Sequence, residues 1–241
     1  MDRGPGSKDS LAIGVVTGLA SEAAVVSAML GENDASVRLV CAGASVHRAA
    51  ALTRQLVETG VDALLSFGIA GALAPEVDCG DLIVSDRVRG QDGEDFGCDR
   101  QWREALVLKL GEAAIHPRVG GLLASARTLR EASEKSAAYR DSGCLVVDME
   151  SGAVAAIARE QGLPFLAVRA VADRAADSLP ALVETAVKPN GRPAVGRAVA
   201  ALLRRPGDIP ATLRLARQSE LALARLRMLE AVKGALFGGG F

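Results

Sequence analysis

Short apolar runs rich in β-branched residues alternate with helical stretches along most of this chain, and that alternation constrains its fold more than any other feature. Residues 11–17 (LAIGVVT) form an apolar run bounded by Gly18 and read as a buried strand. Residues 20–30 follow as a helix stopped by Gly31. The pattern repeats with strands at 37–42, 62–67, 81–88, 119–125, 144–148 and 164–171. Helices fall between them at 45–59, 101–111, 131–139 and 150–161. The glycine-punctuated stretch 68–71 and the polar stretches 89–99 and 173–180 read as loops. Helices at 182–188 and 194–204 are separated by the breakers Pro189, Asn190 and Gly191, and residues 206–210 break the chain again before a last helix at about 212–233. Strands alternating with helices predict a single α/β domain over residues 11–204, built on a twisted, mixed but mostly parallel central sheet flanked by helices. Residues 205–241 add a C-terminal helix and a glycine tail.

Composition removes several function classes. With 241 residues of which 49% are hydrophobic, a packed core is readily supplied. Twenty-eight basic against 29 acidic side chains, net −1, gives none of the basic excess of a nucleic-acid-binding protein. At 3% aromatics the chain offers few platforms on which single-stranded bases could stack. The four cysteines (Cys41, Cys79, Cys98, Cys144) have no C-x-x-C spacing, and His47 and His116 lie far apart, so no metal site is expected. Residues 1–10 read as a loose polar tail without the apolar segment of a secretory signal. No apolar run reaches the roughly 18 residues of a membrane span, and the cytoplasm is the expected compartment.

Chemistry in α/β folds collects at the C-terminal ends of strands. Four such ends stand out here: residues 18–22, residues 68–71, the run Asp148-Met149-Glu150, and Asp173. Glu22, Glu150 and Asp173 follow strands expected to lie near one another, and carboxylates in a partly closed cleft can hold raised pKa values and act as acids or bases. A carboxylate after a strand is also an ordinary helix cap or first-turn residue. Pattern alone leaves both readings open.

Taken together, four segments in order resemble the nucleoside phosphorylase/nucleosidase superfamily. IGVVTGLASEA (13–23) resembles the opening of the methylthioadenosine/S-adenosylhomocysteine nucleosidases, and SFGIAGALAPEVDCGDLIVSD (66–86) resembles their glycine-rich segment and following strand. VVDMESGAVAAIA (146–158) is similar to the V-[DE]-M-E-[AS] signature, and PFLAVRAVADRAAD (164–177) to the closing segment that ends in Ser-Asp. Within the superfamily the opening, the S-F-G-I-A-G segment and an R-Q-S run in the last helix most resemble the hopanoid-associated phosphorylases, assigned to removing adenine from adenosylhopane. The resemblance implies cleavage of the N-glycosidic bond of a 5′-modified adenine nucleoside. A methylthioadenosine/S-adenosylhomocysteine-type nucleosidase and a non-catalytic nucleoside-binding protein on the same fold are the alternatives.

The roles that follow are implied by this resemblance. Asp173 matches the aspartate that gives a proton to purine N7, so that adenine leaves neutral. Glu22 matches the acid that orients or activates water. Glu150 matches the glutamate that accepts the ribose hydroxyls and lies beside the electron-poor sugar. Met149 would pack on the sugar, with Asp148 beside it, and Gly68, Ile69, Ala70 and Gly71 would let backbone approach ribose or nucleophile. Leu129 sits where nucleosidases place a base-stacking aromatic. Ala172 replaces the serine that usually holds the aspartate, leaving a backbone group or water to orient Asp173. Ile69 replaces a common hydroxyl residue. The phosphate-gripping arginines of hexameric phosphorylases have no match, and Ser66 stands where one would be. Arg169 and Arg174 read as structural ion partners, with phosphate recognition as the sharper alternative. No cofactor is implied beyond inorganic phosphate as a co-substrate, and a homodimer is expected because the superfamily builds its sites near subunit contacts.

From Arg204 to the end, seven basic residues stand against three acidic ones. Leu215, Ala222, Leu226 and Leu229 form a helical seam, widened by Leu213, Leu221 and Leu223. Packing on the domain or on a sister subunit is one reading. Peripheral contact of residues 211–233 with the inner face of an anionic membrane is the other.

Overall fold

The computed structural model describes residues 11–30, 36–90, 92–184, 187–188 and 190–238. The expected tail at 1–10, the Gly31 helix stop and the glycines at 239–240 lie outside the described residues. Among the described residues eight strands make one sheet: β1 (Ile13–Thr17), β2 (Val37–Cys41), β3 (Ala63–Ala72), β4 (Leu82–Arg89), β5 (Asp95–Gly97), β6 (Arg118–Ala124), β7 (Val146–Asp148) and β8 (Phe165–Asp173). Parallel pairs β1–β2, β1–β3, β3–β8, β4–β6 and β6–β7 outnumber the antiparallel pairs β3–β7, β4–β5 and β4–β8. Because β8 pairs with both β3 and β4, the strands β3, β7, β6, β4 and β8 close into a ring, with β1 and β2 extending from β3. Helices α1 (Ala20–Leu30), α2 (Val46–Glu58), α3 (Arg100–Glu112), α4 (Ala132–Ser142) and α5 (Ser151–Gln161) flank it, as the alternation predicts.

Several expectations shift. Residues 68–71 are not a loop but the second half of β3, because β8 pairs with it from Leu64↔Phe165 through Gly71↔Asp173 and holds it extended. Glycine has no side-chain pattern to announce such a strand. Asp173 is likewise the last residue of β8, not the start of the following loop. The polar stretch 89–99 contains β5, which pairs with β4. Of the expected helix at 182–188, residues 185–186 lie outside the described residues; the described part is a 3₁₀ turn, Ala181–Glu184, and Val187 bridges to Pro193. A segment that short, flanked by prolines, cannot recover the cost of nucleating a helix.

Beyond α6 (Val195–Arg204), the last long helix α7 starts at Ile209, earlier than expected. Pro210 lies in its first turn, where the missing N–H costs nothing. After Arg227 the chain tightens into a 3₁₀ turn, Met228–Val232, and ends in α8 (Lys233–Phe237). The predicted seam points inward: Ala222, Leu223, Leu226 and Leu229 are buried in the core shared with β8 and β3, together with Val232, Leu236 and Phe237. Trp102 of α3, itself fully buried, donates its indole N–H to Ala235 O at 3.1 Å. The inward part of this seam is therefore used up in packing, while Leu213 and Leu221 stay exposed at 56% and 52%. Among the described residues no helix is long and apolar enough to cross a membrane.

Candidate active site

The ring brings the ends of β1, β3, β7 and β8 together, and each delivers part of one cleft. Glu22 lies in the first turn of α1, directly after β1. Its Oε2 accepts from the backbone N–H groups of Gly18 (2.8 Å) and Leu19 (2.7 Å), and its Oε1 from Ile69 on β3 (2.8 Å). The two local donors are the helix-capping role foreseen as the plain alternative. The third, from 47 positions along the chain, ties the carboxylate to the glycine-rich strand. Ile69 thus serves through its backbone, which its apolar side chain does not disturb. Burial raises the Glu22 pKa above its ordinary value, opposed by these N–H donors and by Arg169.

Three glycines each make room for one carboxylate. A Cβ at Gly68 would lie 2.6 Å from the Glu22 carboxyl carbon, one at Gly18 3.0 Å from that of Glu150, and one at Gly71 3.0 Å from Asp173 Oδ2. Real Cβ atoms do not approach to the first distance, so the role of Gly68 is close approach to a side chain.

Glu150 ends the β7 turn as the N-cap residue of α5 and is 7% exposed. Its Oε1 is buried with no hydrogen-bond partner among the described residues. Burial first, then the charges of Asp148 and Glu22, lift its pKa to about 8. A carboxylate in this state is short of donors, and a ligand hydroxyl would supply one. Between its ordinary value of 4.5 and about 8, folded Glu150 carries a proton that the unfolded chain has lost. Stability is therefore fully present below that window and falls as pH rises through it. Glu150→Gln should remove this loss, so that its thermal midpoint declines less than that of the wild type between pH 4.5 and pH 8. Parallel declines would show that Glu150 is not the group responsible.

Asp173 closes β8 at 6% exposure. Its partner is Lys135, on the inner face of α4 and fully buried, which forms an ion pair with Asp173 Oδ2 and also donates to Arg174 O (2.9 Å) and Asp177 O (2.8 Å). The expectation that backbone or water would orient Asp173 is therefore corrected: a side chain does so. A capping box between Glu131 and Glu134 fixes the start of α4, one turn from Lys135. Burial raises the Asp173 pKa, and the Lys135 ammonium pulls the other way.

Asp148, Arg169, Ser66 and Ser151 form a separate buried network. Arg169 Nε donates to Asp148 Oδ2 at 3.0 Å, and its terminal nitrogen reaches Asp148, Ser66 Oγ (2.6 Å) and Ser151 Oγ (2.8 Å). Ser151 Oγ also donates to Asp148 Oδ2 at 2.6 Å. The Asp148 side chain is thus committed to Arg169, and what it offers the cleft is its place between Val147 and Met149. Arg169 is a structural ion partner, and Arg174 is exposed and paired with Asp78.

Between these groups lies a cavity of about 310 Å³, bordered by Glu22, Glu150, Met149 and Asp173, with Leu182, Val183, Val187 and Leu215 on its apolar part. Gly18, Ile69, Ala70 and Gly71 line it too, and among the described residues no Lys or Arg does. A smaller recess of about 80 Å³ adjoins it at Asp173 and Met149 and contains Leu129 and Lys135. Thr128 Oγ1 lies 3.8 Å from Met149 Sδ at their shared edge. A larger groove of about 650 Å³ between α3 and α8 holds two charged groups, Lys109 and Glu112, paired with each other at 2.8 Å. Among the described residues no cluster of His, Cys, Asp and Glu could hold a metal ion. The cleft therefore brings together the site residues expected from sequence except Leu129, which lies in the side recess, and Gly68, which backs the Glu22 carboxyl group without lining the cavity. It adds Thr128 and, in the recess, Lys135, which sequence reasoning did not assign to the site; Ser66 and Ser151 stand behind it, holding Arg169 and Asp148. Lys135 left one signal: it falls on the inward face of α4 with Ser142, where a lysine is unusual.

A sequence model described as the phosphorylase superfamily matches residues 15–205. Among solved structures, 5′-methylthioadenosine/S-adenosylhomocysteine nucleosidase of Helicobacter pylori is similar at TM-score 0.73 and 13% identity, over 94% of this chain and 98% of that one. Futalosine hydrolase of Helicobacter pylori is similar at TM-score 0.74 and 13% identity, over 95% and 99%. S-adenosylhomocysteine nucleosidase of Streptococcus pyogenes is similar at TM-score 0.69 and 20% identity, over 93% and 98%.

Proposed function

Because this chain belongs to the phosphorylase superfamily and is an enzyme of N-ribosyl bond cleavage, we propose that it releases adenine from an adenine nucleoside bearing a large apolar 5′ substituent, with adenosylhopane as the substrate. The observation that carries the reading is the buried, unpartnered Oε1 of Glu150, set beside two further buried carboxylates. Ribose hydroxyls would satisfy Glu150 and favour its ionised form, whose charge would then stabilise the oxocarbenium-like sugar as the bond to adenine lengthens. Asp173, kept protonated more readily by burial, gives its proton to purine N7 and lets adenine depart neutral. Met149 packs against the sugar. Glu22, held by three N–H groups, keeps a fixed orientation toward the nucleophile.

Water is the nucleophile favoured here. Phosphate in a buried site calls for cationic donors; among the described residues none lines the main cavity, and the two in the adjoining recess, Arg127 and Lys135, are paired with Glu134 and Asp173. The apolar lining from Leu182, Val183, Val187 and Leu215 supports an apolar 5′ group. At about 310 Å³ the cavity is at the lower end of small-molecule sites, which run from roughly 300 to 1,000 Å³. A nucleoside head fits within it, and a bulky tail has to project past its rim.

That same modest volume favours a second reading, in which methylthioadenosine, the substrate class named for the Helicobacter relative, is cleaved instead. A series of 5′-alkylthioadenosines separates the two. An apolar exit predicts that kcat/KM rises about two- to fourfold for each added methylene until the rim is passed. A steady fall beyond the methylthio compound would support the second reading and overturn the first.

A further inference from the structure

We propose that α6 and the first turns of α7 form a peripheral docking surface for an anionic lipid bilayer. Helix α6 contributes no buried residue to the fold. Val195, Val199 and Leu203 recur at four-residue spacing along one face of it and are 65%, 51% and 78% exposed. Ile209 and Leu213, at the start of α7, are exposed as well, at 42% and 56%. Large apolar side chains exposed along one helix and at the start of the next are costly to leave in water unless something covers them.

Charge selects the occupant. From Lys188 to Arg217 the sequence carries seven basic residues (188, 192, 197, 204, 205, 214 and 217) against one acidic residue, Asp208. Among the described residues none of the seven has a carboxylate within ion-pair distance. A two-fold contact with a second copy of this chain would set these arginines against themselves, because such an interface presents the same patch from both sides. An anionic headgroup layer meets them with opposite charge, while Val199 and Leu203 enter the acyl boundary.

The surface adjoins the cleft. Val187 lines the cavity and bridges to Pro193, two residues before α6 begins. A substrate whose apolar tail overfills the cavity could leave that tail in the bilayer while its nucleoside enters. This use rests on the function proposed above; the docking surface does not.

Flotation of the full chain with lipid vesicles tests the surface, read without any nucleoside, so that its failure and that of the glycosidic reading are separable. The wild type should float with phosphatidylcholine vesicles containing phosphatidylglycerol, weakly with phosphatidylcholine alone, and less as salt is raised. The double variants Val199→Asp/Leu203→Asp and Arg197→Glu/Arg204→Glu should each lose about tenfold or more of that binding. Their thermal midpoints should be unchanged, since none of the four side chains is buried. Absence of wild-type flotation, or equal flotation by the variants, would overturn the proposal. So would a wild-type dimer that Val199→Asp/Leu203→Asp converts to monomer, which would assign the face to a second copy.

Discussion

Asp173→Asn is expected to slow adenine release by about 10²–10⁴-fold while KM stays within a few-fold of the wild type. The amide keeps the size and position of the carboxyl but has no acidic proton for purine N7. Adenine would then have to leave as an anion, and the loss falls on the transition state. Binding should survive, because Glu150 and Met149, which would hold the sugar, come from the β7 turn and not from β8. Steady-state rates of adenine release check this. A loss below about tenfold, or a loss confined to KM, would remove Asp173 from the role of general acid.

Lys135→Met should cost about 3–5 kcal/mol of stability, because it leaves the buried Asp173 carboxylate without its counter-charge. Adding Asp173→Asn should return most of that stability, since the neutral amide no longer needs a cation. A double-mutant cycle on thermal or denaturant unfolding reads the coupling. The single variant also carries a kinetic signature. Lys135 opposes the burial that raises the Asp173 pKa, so its removal must shift that pKa further up. Proton donation then persists to higher pH, and the alkaline limb of the pH–rate profile should move upward. The sign for stability follows: Asp173 protonates more readily at low pH, so the cost of the single variant shrinks there and grows as pH rises. An unshifted profile with lowered stability would make Lys135 a structural residue only.

Most strands and helices were legible because their apolar residues are β-branched and closed by glycine. The glycine-rich end of β3 was not. Gly68, Ala70 and Gly71 carry no pattern of their own, and only pairing with β8 holds them extended. At the site, ordered motifs located Glu22, Glu150 and Asp173 but could not show what each one touches. Asp148 stands inside the same motif, yet its carboxylate belongs to Arg169 and Ser151, partners contributed by other segments of the chain. Lys135 was hidden because a lysine on a helix normally faces water, and its burial depends on where α4 lands on the ring. The C-terminal seam was visible as a pattern, but periodicity does not say what covers an apolar face. Packing claimed the α7 seam and left α6 open.

Incubating the wild type with adenosylhopane in detergent, with and without inorganic phosphate, and measuring free adenine and the ribosyl product tests the proposed reaction itself. Stoichiometric adenine and a free reducing ribosyl-hopane are expected, at rates independent of phosphate. Adenine formed only with phosphate, together with a ribosyl 1-phosphate, would contradict the choice of water. No adenine under either condition, while methylthioadenosine is cleaved, would contradict the apolar 5′ substrate itself.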